Sequence, residues 1–76
     1  MGLEGTIMKY AIVYEQSGKG WGAHVPDLPI CFAKGKTYDE VRQLIHEGID
    51  LHIAALREEG FPVPEPKTIV EEYAVA

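Results

Sequence analysis

The chain holds one cysteine, Cys31, in 76 residues. A lone cysteine excludes an internal disulfide framework, and with it the small secreted scaffolds that depend on one. Long apolar runs are missing too. No stretch approaches the roughly 20 apolar residues of a membrane-spanning helix, and the N-terminus lacks the basic start and apolar core of a secretory signal. Positive charge is scarce: seven Lys and Arg stand against 12 Asp and Glu, for a net charge of −5. Lys9, Lys19, Lys34, Lys36, Arg42, Arg57 and Lys67 are scattered along the chain, whereas phosphate backbones are gripped by clustered cations. Direct nucleic-acid binding is therefore not expected, and an acidic balance suits a chain that docks on a basic protein. The expected setting is reduced and cytoplasmic, without membrane contact.

What is present bounds the rest. A chain of this length makes one domain and buries only about 60% of its unfolded surface, so a homodimer or higher oligomer is expected to supply further burial. Met1–Thr6 fits a loose lipidation pattern. It is read here as part of a flexible extension, residues 1–7, ahead of a single domain over 8–76.

Met8–Glu15 is rich in Tyr, Ile and Val and reads as a strand. Its two faces are both partly apolar, which places it centrally in a sheet. Gln16–Gly20 reads as a hairpin loop and Trp21–Val25 as a second strand. Pro26-Asp27-Leu28-Pro29 breaks the ladder, because two prolines three apart cannot both lie inside a central strand. Ile30–Lys34 is then a short third strand ended by Gly35, with Cys31 as a core residue.

Thr37-Tyr38-Asp39-Glu40 has the spacing of a capping box, with Thr37 accepting from the Glu40 amide and Glu40 reaching back to the Thr37 amide. A helix over 38–59 follows. At 3.6 residues per turn it gathers Val41, Leu44, Ile45, Gly48, Ile49, Leu51, His52, Ala55 and Leu56 on one broad face. Gly60 suits the left-handed position after the helix, Phe61 can fold back on Leu56, and Pro62 stops propagation. Pro62, Pro64 and Pro66 make a stiff connector, and Thr68–Val75 alternates enough to be a returning strand. The fold class is thus α+β, β-β-β-α-β: a three-stranded antiparallel sheet, one long helix on one face, and a fourth strand. The face left uncovered is apolar enough to imply a partner.

The usual arrangements of catalytic residues are not found. His46 and His52 lie about 240° apart around the helix, and no His-x3-His or Cys-x2-Cys spacing exists, so no metal is expected. The pairs Glu58-Glu59 and Glu71-Glu72 are adjacent and point in different directions, and Glu15 and Asp27, beside the early strands, both sit at turns, whereas a metal-dependent nuclease needs carboxylates converging from separate elements. Ser17, the only serine, has no histidine near it in sequence. Gly18-Lys19-Gly20 is too short for a phosphate loop. The aromatics are not interleaved with cations as in single-strand binders. No catalytic residue and no cofactor are expected.

One resemblance adds to this reading. Gly20-Trp21, then Pro26-Asp27-Leu28-Pro29-Ile30-Cys31, then Gly35-Lys36-Thr37, and finally Ala55-Leu56-Arg57-Glu58-Glu59-Gly60-Phe61-Pro62-Val63-Pro64-Glu65-Pro66 resemble the HicB-like antitoxins. The match spans Met8 to Lys67. Ile30 stands where glycine is usual and Lys36 where an acid is usual. The resemblance implies a degenerate ribonuclease-H-like fold without the nuclease carboxylates. It also implies a partner: a small, basic, mRNA-cleaving toxin of the HicA-like kind. Many members add a C-terminal DNA-binding domain. None fits before Ala76, so operator binding by this chain alone is not expected.

The resemblance makes an antitoxin the leading functional expectation, with Glu15 and Asp27 as candidate partner contacts. Pro26, Pro29, Gly35, Thr37, Glu40 and Gly60 have architectural roles. Two other classes remain open from sequence: a homo-oligomeric regulatory module without a toxin, and a residual metal-dependent ribonuclease.

Overall fold

The computed structural model describes residues 7–76. Apart from Ile7, the extension expected ahead of Met8 lies outside the described residues. Three strands, β1 (Val13–Ser17), β2 (Gly20–Val25) and β3 (Leu28–Gly35), precede one helix, α1 (Tyr38–Glu59). The sheet is antiparallel in the order β1-β2-β3, so the α+β class is as expected.

Three details differ from the sequence reading. The first strand begins at Val13, not Met8, and β1 is an edge strand; β2 is the centre. Residues 8–12 are not part of the sheet, yet Tyr10 and Ile12 pack on the core. Their apolar character comes from contact with the rest of the domain, not from sheet on both sides. The hairpin loop is only Gly18-Lys19, because Ser17 already pairs with Gly20. Gly18 has φ 60°, and among the described residues no non-glycine residue has positive φ, which fits a tight turn with glycine first.

The second difference lies at the prolines. Only Pro26-Asp27 forms the turn, since Val25 pairs with Leu28. Pro29 lies inside β3, contrary to its expected place in a strand break. The ladder tolerates it because β3 is an edge and its register shifts there: pairing jumps from Val25–Leu28 to His24–Phe32, leaving Pro29, Ile30 and Cys31 between. A residue without an N–H fits such an irregular edge.

The third difference is the returning strand. Residues 61–76 contain no helix or strand. They follow an extended course whose first part is tied to the domain and whose last part is exposed.

The helix is built as its sequence requires. Thr37 is extended and its hydroxyl accepts from the Glu40 amide at 3.1 Å. The Glu40 carboxylate accepts from the Lys36 amide at 2.7 Å, one residue earlier than the capping box predicts. Asp39 and Glu40 lie in the first turn and Arg57 in the last, each where the helix dipole favours it. Gly60 at φ 76° ends the helix; its amide donates to the Arg57 carbonyl at 3.2 Å and that of Phe61 to the Leu56 carbonyl at 2.9 Å. This is the two-bond termination that a left-handed glycine allows.

Paired strand residues point to one face. The rows Tyr14–Ala23–Ala33 and Gln16–Trp21–Gly35 therefore face the helix, and Val13–His24–Phe32 and Glu15–Gly22–Lys34 face away. The core is Ala23, Val25, Leu28 and Cys31 from the sheet with Val41 and Ile45 from the helix. Ile49 and Ile53 continue it. Leu44 and Leu51, expected on the packed face, are exposed, because three strands cover a narrower stripe than the helix offers. At the helix start Tyr38 meets Tyr14 and Trp21 at ring separations of 4.8 and 5.5 Å, tilted and edge-on. These are favourable aromatic geometries.

Candidate interaction site

Six buried side chains form the core, so much apolar surface is left outside. Part of it lies on the helix, at Tyr38, Leu44 and Leu51, and at Phe61 beyond its end, and two further places stand out. One is the outer face of the sheet. Cys31 is buried, so by strand alternation its neighbours Ile30 and Phe32 point outward; they are 66% and 69% exposed. Phe32 shares its row with His24 and Val13, and the next row carries Glu15 and Lys34 on either side of Gly22. Glu15 is exposed there. The outcome is an apolar patch with an acidic residue beside it, on a flat, pleated surface. The other is the C-terminal segment, with Ile69, Val70, Tyr73 and Val75 exposed.

Asp27, the second residue singled out from sequence, occupies the β2–β3 turn. Its Oδ2 accepts the amides of Lys67 and Thr68, both at 2.9 Å, and its Oδ1 accepts the Thr68 hydroxyl at 3.0 Å. The backbone donors of Thr68 and Lys67 hold its carboxyl below the usual range by favouring the charged form. The strap after the helix is fastened a second time, where the Tyr10 hydroxyl donates to the Pro64 carbonyl. Burial pushes the Tyr10 hydroxyl upward in pKa, opposed by nearby Arg57. Sequence reasoning missed this fastening: Asp27 and Thr68 are too far apart in sequence for periodicity to relate them. The available signal was an aspartate in a proline turn, a residue suited to accepting backbone amides.

A groove of about 310 Å³ lies between the N-terminal run and the end of the helix, lined by Met8, Tyr10, Ile49, Asp50, Ile53, Ala54 and Arg57. It holds one carboxylate, one guanidinium and the Tyr10 hydroxyl among apolar walls. Cys31 is buried and its thiol is pushed up by burial, which suppresses thiolate chemistry. Among the described residues no three His, Cys, Asp or Glu side chains gather as a metal would need. Also among the described residues, no helix is long and apolar enough to cross a membrane.

The described residues form a small antiparallel sheet with one helix and an exposed apolar outer face, in a chain of net charge −5. Residues 10–75 match the family model described as the HicB-like antitoxin of bacterial toxin–antitoxin systems, and the chain belongs to that family. A UPF0150 protein of Synechocystis sp. is 34% identical over 70 residues, covering 91% of this chain and 89% of that protein. A 14.9 kDa protein of the rep–hol intergenic region of Haemophilus phage HP1 is 35% identical over 66 residues, 87% of this chain and 49% of the phage protein. Among solved structures, a chain of the HicA3 and HicB3 toxin–antitoxin complex superposes with a TM-score of 0.63 at 35% identity, over 78% of this chain and 70% of that one.

Proposed function

We propose that this chain is an antitoxin that binds a small, basic, mRNA-cleaving toxin of the HicA-like kind and masks its RNA site, without catalysis of its own. The observation that carries the reading is the likeness, in sequence and in fold, to a chain of a HicA–HicB complex. Family membership over residues 10–75 supports it, as does the net charge of −5. A ribonuclease that grips RNA must present cations, and an acidic partner of matching shape competes for that surface while also accelerating encounter. Such a toxin meets mRNA in the cytoplasm, which is the proposed site of action.

The outer sheet face is the proposed toxin surface. Ile30 and Phe32 supply desolvated contact of the kind that dominates interfaces, and Glu15 supplies charge at the edge of the patch. Asp27 takes part from the turn: with its carboxylate accepting three hydrogen bonds from the strap, it keeps turn and strap in place beside the partner. The test is co-purification with a small basic toxin of the HicA-like kind. A stable complex that Phe32→Glu weakens by roughly 10- to 100-fold is expected. No complex with the unaltered chain contradicts the reading.

A further inference from the structure

Two leucines in the middle of the helix face water: Leu51 is 72% exposed and Leu44 44%. Single exposed leucines are ordinary, but the placement of these two is informative. They are seven residues apart, so they lie on one line along the helix. The same line carries Gly48 and Ala55. A Cβ at Gly48 would meet nothing within 4 Å among the described residues, and Ala55 is exposed. The line Leu44-Gly48-Leu51-Ala55 advances by four, three and four residues, the spacing of a coiled-coil seam. It runs to one side of Val41, Ile45 and Ile49, which pack on the sheet, so the core does not use it.

The seam alternates large and small, and reversing its direction exchanges the two kinds. Set against an antiparallel copy of itself, Leu44 meets Ala55 and Leu51 meets Gly48, and each pairing occurs twice about a two-fold axis. Every leucine then enters a notch, and the helix axes can approach to about 8 Å, the close limit for packed helices. A parallel copy would set leucine on leucine and leave a void at Gly48. The flank agrees with the antiparallel register, which brings Glu47 beside Ala54 of the other copy and not beside an acid. The seam stops at Val41, which belongs to the core, and at Glu58, where charge returns.

We propose that the seam from Leu44 to Ala55 is a contact between two copies of this chain, with their helices packed antiparallel about a two-fold axis. The occupant is a second copy because the seam is complementary in shape to its own reverse. Two such seams bury on the order of 1,000 Å², the lower limit of a specific interface. At the ends Glu40 of one copy comes near Glu58 of the other, and this repulsion adds to making the contact a weak one. The helix lies on the inner face of the sheet, so Ile30 and Phe32 on the outer face stay open in such a pair.

The experiment is disulfide trapping of the full chain at about 100 µM, where a weak association is populated. One sample carries Leu44→Cys, a second Ala55→Cys, and a third is their mixture. The unaltered chain, whose Cys31 is buried, gives the background. In the antiparallel pair positions 44 and 55 face each other, whereas two copies of either position lie about 16 Å apart along the seam, beyond the roughly 7 Å that a disulfide spans between Cα atoms. The mixture is expected to form its mixed disulfide at least about tenfold faster than either variant pairs with itself. Leu51→Gln in both chains is expected to slow that reaction roughly tenfold, with helical circular dichroism retained. Should Leu51→Gln unfold the chain, Gly48→Leu, which fills the notch, makes the same test. A mixture no faster than the separate samples overturns the proposal, and so does a mixed disulfide indifferent to Leu51→Gln or Gly48→Leu. Trapping of Leu44→Cys with itself at the rate of the mixture marks a parallel pair and also overturns it. If the chain alone gives no trapping and Leu51→Gln weakens binding of a HicA-like toxin, the seam belongs to the toxin and the proposal falls.

Discussion

Asp27 and Thr68 are joined by two hydrogen bonds across 41 positions of sequence, amide to Oδ2 at 2.9 Å and hydroxyl to Oδ1 at 3.0 Å. The pair ties the segment that follows the helix to the turn between the second and third strands. It converts a connector with three prolines into a strap with a defined exit.

The strap is pH-dependent with a definite sign. The Asp27 carboxyl is held below its ordinary value by the Thr68 and Lys67 amides. Its contribution is therefore complete above the unfolded value of about 3.9 and is lost as pH falls through the lowered folded value. Asp27→Ala is expected to lower Tm near neutrality, by removing the acceptor of the Lys67 and Thr68 amides. Thermal melts of both proteins from pH 7 to pH 2 check this: the difference should shrink toward zero at the acid end. A difference that persists at low pH places the effect elsewhere.

Thr37→Ala removes the acceptor for the Glu40 amide and should cost about 1 kcal/mol, read in urea melts as a lower midpoint with an unchanged slope. Adding Glu40→Gln should cost little further, since the amide oxygen can still accept from Lys36.

Two glycines should respond in opposite directions. A Cβ at Gly20 would stand 2.7 Å from the Gly35 carbonyl oxygen, a backbone atom that cannot move aside, so Gly20→Ala should destabilise by about 1–3 kcal/mol. A Cβ at Gly48 meets nothing within 4 Å and sits inside a helix, so Gly48→Ala should stabilise by about 0.5–1 kcal/mol. Parallel denaturation curves test the pair.

Cys31 is buried and its thiol raised by burial. A thiol reagent at pH 7.5 should react only at the rate of opening, and fully in denaturant. Rapid stoichiometric labelling of the native protein contradicts the buried placement.

Much of the architecture was legible in local signals. Thr37, Glu40 and Gly60 mark the helix because capping is settled within four residues, and Cys31 was placed in the core by its apolar neighbours. The errors have one source, that sheet position is a non-local property. Tyr10 and Ile12 look like central-strand residues, yet they pack on the core ahead of the first strand. Pro29 looks like a break, yet an edge with a register shift accepts it. Thr68–Val75 has strand composition without a strand, because composition does not supply a paired edge. Glu15 and Asp27 were chosen as acids at turns. Asp27 proved to be an acceptor for its own chain, a relationship that no window of sequence contains.

The claim of toxin masking is tested most directly by titrating this chain into an RNA-cleavage reaction of a small basic toxin of the HicA-like kind. Cleavage should fall in proportion to added chain and stop at a stoichiometric ratio, with Phe32→Glu shifting the curve to higher concentration. Cleavage undiminished by an excess of the unaltered, folded chain would contradict it.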